Sequence, residues 1–415
     1  VGTAGLAWYA ADSLRHRRER GRGYALRGEL DPAGDEFLRA TEALTAAPIS
    51  WGNDVELLIN GDRIFPRFLE TIRGAEKTIC LTTYVYWRGE IAHEVADALC
   101  ERAQAGVECN VIIDAMGGVQ LERAVFRRML DAGVRVVRFR PPKPYAIKRL
   151  ENRTHRKLLI ADGRVGLTGG VGIAEEWTGD AQDPDHWRDT HVRVRGPVVR
   201  GLFGAFADNW LEATGEVLAG DGYLPELPQR EPGDPMMVVR SSAGVSDTNA
   251  EALYYLAIAS ARESLDLTAA YFVPRPAFTD ALCEAAGRGV RIRVLVPGPN
   301  IDKPPVRVAG RASYDALLEC DVELFEYQPT MLHAKTMVVD GVWSSVGSVN
   351  FDNRSFQLHD EATLCVRSQA FARELSEQFE RDLAVSVRIE PGRWKGRGPV
   401  QRAAESALKL ARREL

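Results

Sequence analysis

Two stretches of this chain repeat one another: HRKLLIADGRVGLTGG at residues 155–170 and HAKTMVVDGVWSSVGS at residues 333–348. Both contain the pattern H-x-K-x-x-x-x-D followed by glycine, and both end in a turn of small residues. The preceding segments repeat in the same order, with ADALCERAQAGVECNVIID at 96–114 matching TDALCEAAGRGVRIRVLVP at 279–297. An internal repeat on this scale indicates a duplicated structural unit.

Each half alternates segments typical of strands with segments typical of helices. The runs VECNVII (107–113) and VRIRVLV (290–296) are rich in β-branched residues, as buried strands are. The segment before the first run has helical spacing and is followed by Gly106, a good helix C-cap. The alternation predicts the α/β class. We expect two similar α/β lobes packed about a pseudo-twofold axis, with equivalent residues meeting at one shared active site.

The repeat and the composition also predict the domain boundaries. They are an N-terminal segment 1–47, a first lobe 48–218, a Gly- and Pro-rich linker 219–235, a second lobe 236–390 and a basic amphipathic tail 391–415. The N-terminal segment is interpreted as the tail of a membrane anchor with its arginine-rich flank on the cytoplasmic side, or as an ordinary surface helix. The C-terminal tail is either membrane-bound or a solvated helix.

The composition limits the partners and cofactors. The 415 residues include 53 Lys and Arg against 58 Asp and Glu, a net charge of −5, which argues against a basic nucleic-acid-binding surface. Only 8 of the basic residues are lysines, so a lysine at a special position is informative. The six cysteines contain no C-x-x-C pair and are interpreted as buried free thiols. We expect no metal site and no cofactor.

The repeated motif places a histidine and a lysine two positions apart, at His155 and Lys157 and again at His333 and Lys335. Alternate residues of a strand share a face, so each pair points the same way. Histidine can be a nucleophile or a proton carrier near neutral pH, and lysine supplies positive charge for phosphate oxygens. Two such pairs in one pocket predict transfer at a phosphodiester without metal. One neutral histidine attacks phosphorus, and the other, protonated, donates to the leaving alkoxide.

Four carboxylates of the repeat are assigned supporting roles. Asp162 and Asp340 have the opposite strand parity and lie at an Asp-Gly turn, so we expect them to buttress the site. Asp189 and Glu361 begin the aligned segments DTHVRVRG and EATLCVRS. They are the candidate acceptors that orient the two histidines. The alternative is that Asp189 and Glu361 are surface carboxylates.

The small-residue turn after each motif is a candidate phosphate site. It contains Gly169 and Gly170 in the first half and Gly347 and Ser348 in the second, with Asn350 two residues further on. Backbone N–H groups, the Ser348 hydroxyl and the Asn350 amide are the candidate donors to phosphate oxygens. The alternative is a tight hairpin that needs glycine only for its backbone conformation.

The segments NRTHRKLLIADG, WRDTHVRVRGP, YQPTMLHAKTMVVDG and VGSVNFDNRSF resemble the phospholipase D superfamily, and within it the bacterial cardiolipin synthases. This resemblance implies a two-lobed α/β fold, a phosphohistidine mechanism and phospholipid substrates. It also implies that His155 is the nucleophile and His333 the general acid and base. The chain departs from the family pattern at Gly172, which aligns with Asn350, and at His359, where the family usually has Asn.

We therefore expect a phosphatidyltransferase that acts on glycerophospholipids, most specifically a cardiolipin synthase that converts two phosphatidylglycerols to cardiolipin and glycerol. The alternative is a phospholipase D hydrolase that releases phosphatidic acid, and a less favoured one is a nuclease of the same superfamily. The expected partners are phospholipids and the membrane surface, with no nucleic acid. The expected location is the bacterial cell membrane, with the catalytic domain on the cytoplasmic side.

Overall fold

The computed structural model describes residues 24–142, 151–227, 233–243 and 247–398. In chain order the strands are β1 (Asp54–Ile59), β2 (Thr78–Thr83), β3 (Glu108–Asp114), β4 (Arg135–Phe139), β5 (Arg153–Thr154), β6 (Leu158–Ala161), β7 (Val165–Gly169), β8 (Thr190–Arg195), β9 (Met236–Ser241), β10 (Ser264–Ala269), β11 (Arg291–Pro297), β12 (Glu323–Tyr327), β13 (Lys335–Val339), β14 (Trp343–Gly347), β15 (His359–Arg367) and β16 (Ser386–Arg388). The α-helices are α1 (Asp35–Thr45), α2 (Gly61–Arg73), α3 (Glu90–Gln104), α4 (Arg123–Asp131), α5 (Val199–Thr214), α6 (Asn249–Ser260), α7 (Pro276–Gly287), α8 (Pro304–Arg311), α9 (Tyr314–Glu319), α10 (Asn353–Gln357), α11 (Gln369–Ala384) and α12 (Pro391–Lys395).

Each half of the chain builds one mixed sheet. The first has the order β1-β8-β7-β6-β2-β3-β4, and the second has the order β16-β12-β11-β10-β13-β14-β15, with β5 and β9 both pairing with β15. Strands β2, β3 and β4 are parallel, as are β10, β11 and β12. The strands that follow the two motif histidines, β6 and β13, pair antiparallel with β2 and β10. The seven strands of the first sheet correspond in order to β9-β15-β14-β13-β10-β11-β12 of the second, which has β5 and β16 in addition. This correspondence confirms the predicted α/β class and the duplication.

The two sheets share one apolar core. Val192 and Val194 of β8 belong to the same buried cluster as Val346 of β14 and Leu364 of β15. Helices α5 and α11 add Phe206, Leu375 and other residues to this cluster. The sheet is covered on both faces at β2 (TICLTT) and β6 (LLIA), so both strands are buried at every position, the threonines of β2 included. Apolar burial across the lobe interface holds the two motifs in one place.

The chain ends and the linker are only partly described. Helix α1 packs on the second lobe, where Phe37 lies edge-on to Trp343 at 5.8 Å between ring centroids. Residues 1–23 and 399–415, which carry the membrane-anchor and membrane-tail interpretations, lie outside the described residues. Among the described helices, none combines the length and the apolar character that crossing a membrane requires.

The cysteine prediction is correct for four residues and wrong for two. Cys80, Cys100, Cys109 and Cys365 are free and buried. Cys283 of α7 and Cys320, which follows α9, form a disulfide with a Cα–Cα distance of 5.2 Å. Sequence spacing cannot reveal this pair because its partners are 37 residues apart and meet only when the two helices pack.

Candidate active site

The two motif histidines lie where the two halves of the chain meet. The backbone N–H of His155 donates to the carbonyl of Asp360 at 2.9 Å, and that of His333 donates to the carbonyl of Arg188 at 2.7 Å. Asp360 belongs to the second lobe and Arg188 to the first, so each histidine is held by the opposite half. The contacts are pseudo-symmetric, as expected of a duplicated unit.

Each histidine also faces a carboxylate from the opposite half. Nδ1 of His155 lies 3.0 Å from both carboxylate oxygens of Glu361, and Nδ1 of His333 lies 2.8 Å from Oδ2 of Asp189. Ionised carboxylates only accept hydrogen bonds, so each Nδ1 carries the ring proton and each Nε2 keeps its lone pair. The structure therefore brings Asp189 and Glu361 to the histidines, and both carboxylates are fully buried rather than at the surface.

Burial keeps both imidazoles neutral. It lowers the pKa of His155 well below its usual value, and Lys157 adds to the effect although Glu361 opposes it. Burial likewise lowers the pKa of His333, with Lys335 and Lys157 acting in the same direction. Burial alone would raise the pKa of Glu361, but its contacts with His155 lower that pKa below the ordinary range. The resulting state is a neutral ring beside a carboxylate anion, which suits a nitrogen nucleophile.

The two motif lysines are buried beside the histidines. Nζ of Lys157 donates to the carbonyl of His155 at 2.8 Å, and Nζ of Lys335 donates to the carbonyl of His333. Burial lowers the pKa of Lys157 to about 7, with Lys335 adding to the effect. Burial lowers the pKa of Lys335 to about 8. Two ammonium groups that destabilise one another in a buried site are suited to binding a phosphate anion between them.

Asp162 and Asp340 lie at the far ends of the motif strands. Asp162 accepts the backbone N–H groups of Glu76, Lys77 and Thr78 at 2.7–2.9 Å. Asp340 accepts those of Arg262, Glu263 and Ser264 at 2.8–3.0 Å. Each carboxylate thereby fixes the turn that leads into β2 or β10, the neighbour of its own motif strand.

The small-residue turns do not present the predicted phosphate donors. The backbone N–H of Gly170 donates to Thr190 and that of Ser348 donates to Ala362, so both are used within the sheets. The Ser348 hydroxyl donates to Glu361 at 2.5 Å and thereby orients the carboxylate. Gly169 and Gly347 pair with β8 and β15. Asn350 is buried, and its backbone N–H donates to the Ser355 hydroxyl at 3.0 Å. The side-chain atom of Asn350 that lacks a hydrogen-bond partner in the described structure is its oxygen, which accepts and therefore is not a phosphate donor.

Comparisons with known proteins agree with this geometry. Residues 68–181 and 254–383 match the family described as cardiolipin synthase, PLD-like domain. The chain belongs to this family. The probable cardiolipin synthase YwiE of Bacillus subtilis strain 168 is 34% identical over 366 residues, which cover 87% of this chain and 72% of that one. Cardiolipin synthase 2 of Bacillus anthracis is 32% identical over 378 residues, covering 90% and 73%. The predicted resemblance is confirmed.

A solved structure supports the fold of this cardiolipin synthase family member. The phosphatidylserine synthase of Haemophilus influenzae Rd KW20 superposes with a TM-score of 0.70 at 15% identity, over 92% of this chain and all of that chain. At this identity the comparison supports the shared architecture alone. It covers both lobes, so the two-lobed arrangement extends over nearly the whole chain.

Aromatic residues that the motif pattern does not include surround the site of this family member. Trp177 donates its indole N–H to Oδ2 of Asp189 at 2.8 Å, which is the counterpart of the Ser348 contact with Glu361. Trp187 and Tyr84 lie 5.6 Å from His333 and 5.5 Å from His155, between ring centroids. A Cβ at Gly172 would lie 2.8 Å from Val85 and 3.2 Å from Trp177, which explains why no Asn side chain fits there.

Lys303 is a further residue that the sequence pattern did not identify. Its ammonium lies 4.6 Å from the ring centroid of Tyr271 and is close enough to lower the pKa of both His333 and Lys157. Lys303 lies in the exposed loop after β11, whereas Lys157 and Lys335 are buried. The scarcity of lysine was the one sequence signal that pointed to it. The sequence of the loop before the first motif also offers Lys143, Lys148, Arg149 and Arg153 as candidates for contacts with anionic headgroups. The first three lie outside the described residues, and Arg153 is buried.

We expect the Gly170→Ala variant to lose activity without losing its fold. An added Cβ would lie 2.1 Å from Oδ1 of Asp189, a carboxylate held by Thr190 and Trp177, so either the turn or the carboxylate must move. Misplacing a catalytic group by this much should lower kcat by about tenfold to 100-fold. Gly287→Ala is the matched control because a Cβ there meets nothing within 4 Å. Equal kcat values for the two variants would contradict the prediction.

Proposed function

We propose that the chain is a phosphatidyltransferase that joins two phosphatidylglycerols into cardiolipin and releases glycerol. The observation that carries the proposal is the crossed arrangement of two histidines, each oriented by a carboxylate of the other half and accompanied by a buried lysine. Family membership supports the choice of phospholipid as substrate.

In the first proposed step, Nε2 of His155 attacks the phosphorus of one phosphatidylglycerol. The bond from phosphorus to the glycerol headgroup oxygen breaks, and His333 gives its proton to that oxygen. Lys157 and Lys335 stabilise the charge on the non-bridging oxygens. His333 is neutral in the free protein. The bound phosphate anion brings negative charge that raises its pKa and allows it to take up the required proton.

In the second proposed step, a terminal hydroxyl of another phosphatidylglycerol gives its proton to His333 and attacks the phosphorus. The bond between phosphorus and Nε2 breaks, which frees His155 and yields cardiolipin. Water in place of the lipid hydroxyl would give phosphatidic acid. His155 and His333 are only 6% and 5% exposed. In the proposed reaction the bound lipids cover the two rings and exclude water from the phosphohistidine, which would favour the transferase over the hydrolase.

The deprotonation of Lys335 should make kcat/KM of the proposed reaction depend on pH. Burial lowers the pKa of its ammonium to about 8, against the opposing effect of Asp189. A lysine is charged below its pKa and neutral above it, so the Lys335 charge is lost as the pH rises through about 8, above the loss of the Lys157 charge at about 7. We expect kcat/KM for a phosphodiester substrate to fall on the alkaline side of this value, measured by steady-state kinetics.

The Lys335→Arg variant tests the assignment of this alkaline fall. A guanidinium keeps its charge over the whole range but cannot reproduce the point-charge geometry of an ammonium. The variant should therefore be slower at pH 7, and it should keep the fall near pH 7 that belongs to Lys157 but lack the further fall near pH 8. The same alkaline limb in both proteins would assign the titration to another group.

The proposed function is tested by lipid mass spectrometry after incubation of the protein with phosphatidylglycerol vesicles in EDTA. Cardiolipin and glycerol in equal amounts are the expected products. Phosphatidic acid alone would favour the hydrolase. Cleavage of DNA in EDTA without lipid turnover would favour the nuclease of the same superfamily, for which the acidic net charge is unfavourable.

We also propose that the chain works at a membrane surface, where its lipid substrates reside. The arginine-rich flank at residues 15–22 favours the cytoplasmic side. The disulfide between Cys283 and Cys320 favours the opposite side, because cytosolic thiols are kept reduced. The proposed chemistry is the same on either side of the membrane.

A further inference from the structure

Three side chains with metal-binding atoms converge on one edge of the site. His155, His359 and Glu361 each offer one ligand atom, and these atoms lie within 4.8 Å of one another. Nδ1 of His359 is 3.7 Å from Oε1 of Glu361, and the two imidazole rings are 5.4 Å apart between centroids. Two imidazoles and one carboxylate are a donor set that binds Zn²⁺ in proteins.

The ring nitrogen of His359 that faces Glu361 makes no hydrogen bond within the described residues. Nδ1 of His359 is buried and has no hydrogen-bond partner in the described parts of the chain. Buried polar atoms are nearly always paired, so an unpaired one requires an explanation. The two oxygens of Glu361 are already in contact with His155 and Ser348. His359 therefore has ligand capacity that the proposed reaction leaves unused.

The opposite half of the molecule shows that packing alone does not require a histidine at this position. Trp187 occupies the place in the first lobe that His359 occupies in the second, two residues before the orienting carboxylate. Its ring lies 5.6 Å from His333 at an interplanar angle of 39°, and that of His359 lies 5.4 Å from His155 at 39°. An indole packs on the histidine equally well but offers no metal ligand. Within the described parts of the chain, the potential metal site therefore lies around His155 and has no counterpart around His333.

We propose that His155, His359 and Glu361 bind one Zn²⁺ ion, or a divalent transition ion of similar preference, and that this ion inhibits the protein. Zinc binding at this site is independent of the proposed function. The inhibition rests on the proposed function, because the ion acts by blocking His155, the proposed nucleophile. Mg²⁺ and Ca²⁺ should not substitute, because they prefer oxygen ligands.

Metal binding removes the lone pair with which His155 would attack. If the ion binds Nδ1, the ring proton must move from Nδ1 to Nε2, and a protonated Nε2 cannot attack phosphorus. If the ion binds Nε2 directly, the same lone pair is occupied. In both cases no proton leaves the ring, and the remaining coordination position is filled by water. The nearby positive charge of Lys157 opposes a cation, so the site should release its ion readily to a chelator.

The test measures zinc binding and turnover separately. Zinc binding is measured by competition with a chromophoric chelator, on the wild type and on His359→Asn. We expect one equivalent in the wild type and an affinity at least about tenfold weaker in the variant, as loss of one of three ligands implies. His93→Asn is the matched control because it removes a surface histidine that pairs with a single carboxylate, Glu122. Its affinity should equal that of the wild type.

Turnover is then followed during zinc titration, with each protein normalised to its own rate in EDTA. Zinc should inhibit the wild type and His93→Asn at the concentrations at which it binds, excess EDTA should restore the rate, and Mg²⁺ should have no effect. His359→Asn should require at least about tenfold more zinc. Wild-type zinc affinity in His359→Asn, or no binding by the wild type, would overturn the metal site. Zinc binding with no phospholipid turnover under any condition would instead count against the proposed function and leave the site standing.

A third variant keeps the test decisive if His359→Asn is poorly folded. His359→Cys removes the same imidazole but supplies a thiolate, which is itself a zinc ligand. We expect it to retain tight zinc binding. Loss of binding in His359→Cys, in a protein whose circular dichroism matches the wild type, would overturn the proposal.

Discussion

Replacing His155 by alanine should abolish turnover of phosphatidylglycerol, with a loss of at least about 1000-fold in kcat, because the proposed covalent intermediate has no other nitrogen to form on. His333→Ala should lose a similar factor, because the leaving alkoxide would depart without a proton. The measurement is the initial rate of glycerol release. Both rings are buried beside a carboxylate of the other half, so neither is replaceable by a surface group.

The two histidine variants are separated by a substrate with an acidic leaving group. A phosphatidyl ester of p-nitrophenol needs no proton to depart, so His333→Ala should release one equivalent of p-nitrophenol in a burst. His155→Ala should release none. A burst in His155→Ala and none in His333→Ala would reverse the two roles. Rates in both variants within about tenfold of the wild type would contradict the site itself.

Neutralising the buried carboxylates should have the second-largest effect. Glu361→Gln and Asp189→Asn keep the shape of each side chain but remove the charge that orients its histidine, and an amide can stabilise the wrong ring tautomer. We expect kcat to fall by about 100-fold to 1000-fold in each, measured with phosphatidylglycerol. Ser348→Ala, which removes one hydrogen bond to Glu361, should cost less.

The surface pair of His186 and Asp183 provides the matched control for these carboxylate variants. Its Nδ1-to-Oδ1 distance is 2.7 Å, as short as the pairs in the site, but the Asp183 side chain is 44% exposed. Asp183→Asn should leave kcat unchanged within about twofold, because surface ion pairs contribute little. A loss in Asp183→Asn equal to that in Glu361→Gln would show that the effect is not specific to the site.

The sequence predicted the lobes and the two motifs because the chain repeats itself, and it predicted Asp189 and Glu361 because they align within the repeat. It could not reveal that each histidine takes its carboxylate from the other half. Each histidine meets the carboxylate of the other half because the two sheets pack over a shared core. This packing joins residues that are far apart in the chain, so no local sequence pattern can predict it. Strand periodicity predicted that each His and Lys lie on one strand, but His155, Lys157 and His333 precede β6 and β13, and among the four only Lys335 lies on its strand.

The phosphate turns were the less successful prediction, and the reason is steric. Gly170 and Ser348 are small because a buried carboxylate must approach closely, with Asp189 at 2.1 Å from a Cβ on Gly170 and Glu361 at hydrogen-bond distance from the Ser348 hydroxyl. A glycine-rich turn built for a ligand and one built for a neighbouring side chain look the same in a sequence. Trp177 was missed because its contact with Asp189 joins two loops that the motif does not include.

The most direct test of the central claim is to trap the intermediate. The wild type is mixed with phosphatidylglycerol, quenched in alkali during turnover and digested, and the modified peptide is located by mass spectrometry. The account predicts a phosphatidyl group on His155 in the wild type with phosphatidylglycerol and in His333→Ala with the p-nitrophenyl ester, and no adduct in His155→Ala with either substrate. An adduct on His333 alone, or full cardiolipin synthesis with no adduct on His155 at any time point, would contradict it.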